Sequence, residues 1–354
     1  MTRPVVAKTS AGRFFEDFSV GQVLPHATPR TMSHGDVALY AALFGARFAV
    51  QSADTFAQGV GYPQSPIDDL LAFHIVFGKS VADISLNAVA NLGYAACRFL
   101  KPVYPGDTLS ATSEIIGLKE NSNRQSGVVY ARTHGFNQHG AEVLDYVRWV
   151  MVRKRDAAAA APAPVIPELV KALPVASLGG ACPALDPARY DFVLSGAPHR
   201  WGDYAVGEKI DHVDGVTVEE AEHQIATRLF QNNAKVHFNQ FSEGQGRFGR
   251  RLIYGGHVIS MARALSFNGL ANAFHIAGIN GGRHVAPLFA GDTVFAWSEI
   301  IDRAALPGRV DVGALRVRTI ATKNRPCADF PLHAGEGYDP AVILDLDIWV
   351  LAPR

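Results

Sequence analysis

The stretches PVYPGDT (102–108) and PLFAGDT (287–293) decide the reading of this 354-residue chain. They are one phrase written twice, 185 residues apart, and both copies continue to Ser-Glu-Ile-Ile. Moving outward, the correspondence persists in order. Asp17 and Gly21 of FEDFSVGQV fall on Asp203 and Gly207 of WGDYAVGEKI, and the YAALF of Tyr40–Phe44 falls on the ATRLF of Ala226–Phe230. Ser85–Asn91 falls on Ser266–Asn272, and Leu144–Val150 on Leu344–Val350. Five matches in one order mark an internal duplication. The expected division is a first domain at 1–153, a connection at 154–198 and a second domain at 199–354. The connection opens RDAAAAAPAPVIPE, where alanine and proline replace any amphipathic period and imply a semi-extended path over the surface.

Within each copy the apolar period changes from helix to strand. In the second copy, Glu219 to Phe230 has helical spacing, Gln231 to Arg251 is polar and glycine-rich, and Gly256 to Asn268 is helical again. Gly256, Ser260 and Ala264 recur every fourth residue, giving a thin helix face for a sheet to wrap, with Val258, Met261 and Leu265 supplying bulk. Thr293–Glu299, Gly313–Ala321 and Val342–Leu351 are rich in β-branched and aromatic residues and read as antiparallel strands. One helix clasped by an antiparallel sheet, made twice and joined edge to edge, is an α+β double hot-dog fold.

Lys plus Arg and Asp plus Glu stand at 33 each, so no general field exists to hold nucleic acid or an anionic membrane surface. No run is long enough to span a bilayer and the N-terminus lacks a signal-peptide core, so the expected location is cytoplasmic. Cys97, Cys182 and Cys327 are scattered without metal-ligand spacing and read as core thiols. No metal or other cofactor is expected, because neither HExxH nor a comparable ligand set is present. Residues 244–249 match GxGxxG, but no apolar strand precedes them, and they read as a loop. The exposed sheet edge expected of this fold points to a homo-oligomer.

The copies differ most in the irregular stretch before the long helix. RLFQNNAKVH (228–237) stands opposite ALFGARFAVQ (42–51), so His237 faces Gln51 and only the second copy holds an imidazole there. An imidazole can transfer protons near neutral pH. Asn232 can hold a water or merely close a turn. Gly255 and Gly256, at the expected start of the long helix, can offer backbone N–H groups to a developing negative oxygen or serve close packing. His257 can line a pocket or pack. Lys235, Arg247, Arg250, Arg251 and Arg283 can meet phosphates or a carboxylate, or face solvent.

The stretch around His237 resembles the MaoC-like R-specific enoyl-CoA hydratase motif Gly-Asp-x-Asn-Pro-Ile-His. Here His237 holds the motif His, while Asn232 and Ala234 stand at its Asp and Asn; the first copy has Ala46, Phe48 and Gln51. More specifically, HIVFGKSVADISLNAVANLGY (74–94), KPVYPGDTL (101–109), GLKENSN (117–123), VRWVMVRKR (147–155), IDHVDGVT (210–217), QNNAKVHF (231–238) and RLIYGGHVISMARALSFNGL (251–270) resemble the mesaconyl-CoA hydratase family over nearly the whole chain. The resemblance implies reversible water addition to mesaconyl-C1-CoA, giving β-methylmalyl-CoA in glyoxylate assimilation by the ethylmalonyl-CoA route. It also implies an acyl-CoA thioester partner, catalysis by His237, and one working site per chain built mainly from the second copy. Two other functions fit a hot-dog chain: an acyl-CoA thioesterase, and an acyl-CoA-binding protein without turnover.

Overall fold

The computed structural model describes residues 8–354. The first half runs β1 (Val23–Thr31), α1 (His34–Phe44), α2 (Ala49–Ser52), α3 (Asp54–Val60), α4 (Asp69–Ser80), β2 (Ala88–Phe99), β3 (Thr108–Glu120), β4 (Ser126–Phe136) and β5 (Glu142–Arg153). The second runs β6 (Lys209–Asp211), β7 (Val216–Thr217), α5 (Glu220–Leu229), α6 (Lys235–Phe238), α7 (Gln240–Glu243), α8 (Gly255–Leu265) and α9 (Phe267–Leu270). It continues through β8 (His275–His284), β9 (Thr293–Ala305), β10 (Val312–Lys323), β11 (His333–Ala334), β12 (Gly337–Tyr338) and β13 (Val342–Pro353). One antiparallel sheet has the strand order β1-β3-β4-β5-β2-β8-β13-β10-β9-β6, with β7 also pairing β9, so each half repeats the other's order about the β2–β8 seam. This is the α+β double hot-dog expected, with the halves joined edge to edge.

Strand β8 escaped the sequence reading. Its HIAGINGGRH has three glycines and little β propensity, yet it forms the seam, pairing Tyr94 with Gly282 and Cys97 with Ile279. Glycine is demanded there: a Cβ on Gly278 would strike Leu173 and the Cys97 carbonyl. Leu173 belongs to segment 154–198, which lies on the sheet face away from α4 and α8 and packs there with α2 and α3. Leu173, Leu178, Cys182, Leu185 and Tyr190 are buried there with Ala95, Ala96, Phe274, Ala277, Trp349 and Leu351 across the seam. The Leu173 N–H donates to Asn280 Oδ1 at 2.8 Å. Residue alternation along β13 places Val350 and Ile348 in the opposite, helix-side core. All three cysteines are free and buried.

The thin face of α8 corrects the reading of its purpose. Gly256 and Ser260 meet the first half's helices and not the sheet. A Cβ on Gly256 would collide with His74 and Tyr254, while Ser260 Oγ accepts from Tyr40 Oη at 2.9 Å and lies 2.9 Å from His74 Nε2. Gly78 on α4 mirrors this closeness, since a Cβ there would fall inside the van der Waals shell of the Phe230 carbonyl. The end of α4 is thereby held against the chain entering the second half's irregular stretch. Gly78→Ala should destabilise the protein by about 3 kcal/mol, the upper range for overpacking against a backbone that cannot retreat. Calorimetry would detect this as a lowering of Tm by several degrees; an unchanged Tm would mean that α4 and Phe230 separate freely.

Candidate active site

Helix α8 starts without a side-chain cap. Tyr254, the residue before it, is extended, and its own N–H donates to His223 Nε2 at 2.9 Å. The next two N–H groups, of Gly255 and Gly256, find no acceptor among the described residues. The start of α4, at the equivalent place in the first half, is closed by its own side chains. Asp68 Oδ1 accepts from the Leu70 N–H at 2.8 Å, and the carboxylate of Asp69, which stands where Gly255 does, accepts from the Ile276 N–H at 2.8 Å and from His275 Nδ1 at 2.9 Å. The equivalent helix starts therefore differ: among the described residues the one in the second half is uncapped and the one in the first is closed by carboxylates.

His237 sits on α6, the short helix that matches α2. Its Nδ1–H donates to the Leu252 carbonyl at 2.8 Å, which selects the tautomer with Nε2 unprotonated. The Leu252 N–H returns a bond to the Val236 carbonyl at 3.0 Å, tying α6 to the segment that leads into α8. Asn232 is buried, and its Oδ1 accepts from the Ala234 N–H at 3.2 Å, closing the turn that enters α6. The Asn232 oxygen is thus engaged locally, while its amide N–H groups have no side-chain or backbone acceptor among the described residues.

Around Tyr254 and Gly255 gather four histidines of the second half. The His237 and Tyr254 rings are 5.5 Å apart, His237 and His223 6.2 Å, and His223 and His257 5.5 Å. His284, reaching in from β8, lies so close to Gly255 that any Cβ there would strike its ring, and its Nε2 is 3.3 Å from Tyr94 Oη. Burial pushes His237 and His284 down to about 4 and His257 and the first-half His74 to about 3. Burial also drives His223 far down, aided by its imidazole neighbours and Arg251. All five are neutral bases or donors at physiological pH.

His223 and His284 were missed by the sequence reading, though a signal existed. Extending the copy alignment sets His223, His257 and His284 opposite Val37, Leu71 and Phe99, so imidazoles replace apolar residues in one copy only.

The basic candidates separate. Lys235 and Arg250 are exposed, and Arg250 lies 4.0 Å over the Phe289 ring. Arg247 lies over Phe248. Arg251 is bound by Glu220 at 2.5 Å and is not a free anion receptor. Arg283 follows strand alternation to the face opposite His284, where it is exposed and its charge acts on Asp345 and Tyr338, so it is not gathered with the histidines. Among the described residues one trio, His134, Glu142 and Asp145, has metal-ligand proximity, but Arg98 and Arg132 already neutralise Asp145. No helix of the described residues is long and apolar enough to cross a membrane.

Fold and site together define a MaoC-like double hot-dog dehydratase. A solved MaoC domain protein dehydratase from Chloroflexus aurantiacus superposes with a TM-score of 0.96 at 61% identity, covering 99% of both chains. A Mycobacterium tuberculosis protein described as a double hotdog fold has a TM-score of 0.71 at 26% identity, covering 96% of this chain and 98% of its own. The family model for mesaconyl-CoA hydratase matches residues 5–173. Curated relatives are the beta-methylmalyl-CoA dehydratase of Chloroflexus aurantiacus and the mesaconyl-CoA hydratase of Cereibacter sphaeroides. Each is 61% identical over 98% of this chain, covering 99% and 100% of the relatives respectively. This chain belongs to the mesaconyl-CoA hydratase family and is a hydro-lyase.

The neutral histidines have a consequence for stability. In the unfolded chain each binds a proton near 6.5, whereas in the fold each stays neutral to about 4 or below. Between those values the unfolded state holds more protons, so stability is complete above about pH 6.5 and falls as pH drops toward about 4. Differential scanning fluorimetry across that window should show Tm declining steeply with acid; a flat or rising Tm from about pH 7 to about pH 5 would contradict neutral burial.

Proposed function

We propose that the protein reversibly adds water across the double bond of mesaconyl-C1-CoA (2-methylfumaryl-CoA) to give β-methylmalyl-CoA. One observation carries the reading: a neutral imidazole whose Nε2 is unprotonated lies 5.5 Å, ring to ring, from Tyr254, the residue that precedes two glycine N–H groups without an acceptor among the described residues. Conjugate hydration needs both parts, a base for water and donors for the enolate oxygen formed as water attacks.

With the thioester carbonyl on the Gly255 and Gly256 N–H groups, His237 Nε2 takes a proton as the water oxygen bonds to the carbon beyond the methyl-bearing one. Electron density moves through the chain to the thioester oxygen, where the two amides stabilise it. The imidazolium then returns its proton to the methyl-bearing carbon and the carbonyl re-forms. Dehydration follows the same steps backward. Depression of the His237 pKa keeps it a base at neutral pH, and the enolate beside it stabilises the imidazolium once formed. Asn232 holds α6 in register and offers its amide N–H groups to the water. The exposed Lys235 and Arg250 are the cations proposed to meet CoA phosphates, and His257 forms part of the wall. No cofactor takes part in these steps. The carboxylates at the start of α4 leave the first half no equivalent site, which supports a single working centre per chain.

Loss of enoyl-thioester ultraviolet absorbance on mixing with mesaconyl-C1-CoA is the direct assay. His237→Ala should lower kcat by about 10³-fold, within the usual range for removing an acid–base group, with an unchanged far-ultraviolet circular dichroism spectrum. Gln51→Ala, at the equivalent first-half position, should leave kcat intact. Its Nε2 donates to the Phe274 carbonyl at 2.9 Å, so about 1 kcal/mol of stability is the expected loss. Equal effects of the two substitutions on rate, or release of free CoA with the double bond retained, would reject this assignment.

A further inference from the structure

Beneath the C-terminal end of α4 lies a cation without an anion. Arg148, on β5, is fully buried. Its Nη2 donates to Ser80 Oγ at 2.9 Å, both Nη groups approach Ser85 Oγ at 3.3 Å, and the guanidinium lies 4.4 Å over the Phe77 ring. No carboxylate is within ion-pair reach of it among the described residues; Asp83, beyond His26, is taken by His26 and Arg13. Arg148 Nε is buried with no partner among the described residues, and the neighbouring Tyr146 hydroxyl, buried beside Thr133 and Ser80, makes no well-formed hydrogen bond to either. An unpaired buried guanidinium is costly, and two serines with an aromatic face do not replace an anion.

The other half of the molecule is the internal control. In the first half Tyr94 pairs across the strands with Arg148, and Tyr146 stands two residues earlier; in the second, Ile279 pairs with Ile348, and Leu346 stands two residues earlier. All three second-half residues are buried and apolar. The same sheet therefore packs at this place without polar groups, and the Tyr-Tyr-Arg set is not a requirement of the fold.

The set adjoins the candidate site. Tyr94 Oη is 3.3 Å from Nε2 of His284, whose ring rests on Gly255. Tyr254, which opens α8, contributes to the field at Arg148. The contacts of Gly78 with Phe230 and of His74 with Gly256 hold the end of α4 beside the start of α8.

We propose that Arg148, with the Tyr94 and Tyr146 hydroxyls, receives a carboxylate carried by the acyl group at the end remote from the thioester, and so selects dicarboxylic over monocarboxylic acyl-CoA. This rests on the hydratase reading, with the thioester at Gly255. A carboxylate there accepts from the orphaned Arg148 Nε–H and from the Tyr146 O–H, and neutralises the guanidinium. A monocarboxylic chain leaves the cation unpaired, the kind of mismatch that discriminates strongly.

The test compares mesaconyl-C1-CoA with its C4 methyl ester, a neutral near-isostere, in wild type, Arg148→Ile and the double variant Tyr146→Leu/Arg148→Ile, which copies the second half's residues. Wild type should prefer the acid over the ester in kcat/KM by about 100-fold or more, and both variants should bring that ratio close to one. A wild type that hydrates acid and ester equally, or a folded variant that keeps the wild-type ratio, overturns the proposal while the hydratase reading stands. A wild type that hydrates neither overturns both. If neither variant folds, Tyr146→Phe, which removes only the hydroxyl, is read instead, and an acid-to-ester ratio unchanged from wild type overturns the proposal.

Discussion

Two backbone N–H groups at the start of α8 have no acceptor among the described residues, and the second half of the molecule is arranged to keep them so. An uncapped helix start is unfavourable unless water or a ligand completes it. Here the usual remedy, a side-chain oxygen one residue earlier, is withheld: Tyr254 occupies the cap position and sends its N–H to His223. Gly255 cannot carry a side chain because His284 fills that space, and Gly256 cannot because His74 and Tyr254 do. The histidines thus act first as shape, walls pressed against bare backbone, and only then as titratable groups.

The first half shows what the same fold does when such a start is closed. Asp68 and Asp69 turn their carboxylates onto backbone N–H groups, one on its own helix and one on the partner half's β8. Duplication therefore gave two helix starts that have diverged in opposite directions, one sealed by acid side chains and one left open by glycine. The seam at β2–β8, with segment 154–198 packed across it on the far face, holds the pair as one body. Each half supplies the other's walls: His74 and the end of α4 abut the second half's site, and Asp69 with His275 ties the first half's closed end to β8.

Burial of so many imidazoles carries a cost that the chemistry explains. A ring held neutral by desolvation presents an unprotonated nitrogen at any ordinary pH, which a base for water needs. For His223 the same neutrality keeps Nε2 available to the Tyr254 N–H. Proton uptake by His223 would remove that acceptor and turn the helix start, so the low proton affinity of the cluster and the orientation of the open amides are a single property.

The duplication and the α+β double hot-dog were legible in the sequence, and copy asymmetry pointed to positions 237, 255 and 256, because repeats, period changes and copy differences are local patterns. The glycine-rich seam strand β8 was not, since its strand character comes from neighbours that allow no Cβ and not from its own propensity. Nor were His284 and Arg148, whose meaning lies in what stands across the sheet: one against Gly255, the other with no carboxylate in reach. Spacing along the chain also could not tell that Arg283 and His284, adjacent in sequence, face opposite sides, or that Arg251 is already bound to Glu220. Residue types and their order determine which chemistry is available; only packing decides which groups are left unpaired, and unpaired groups are where a ligand can bind.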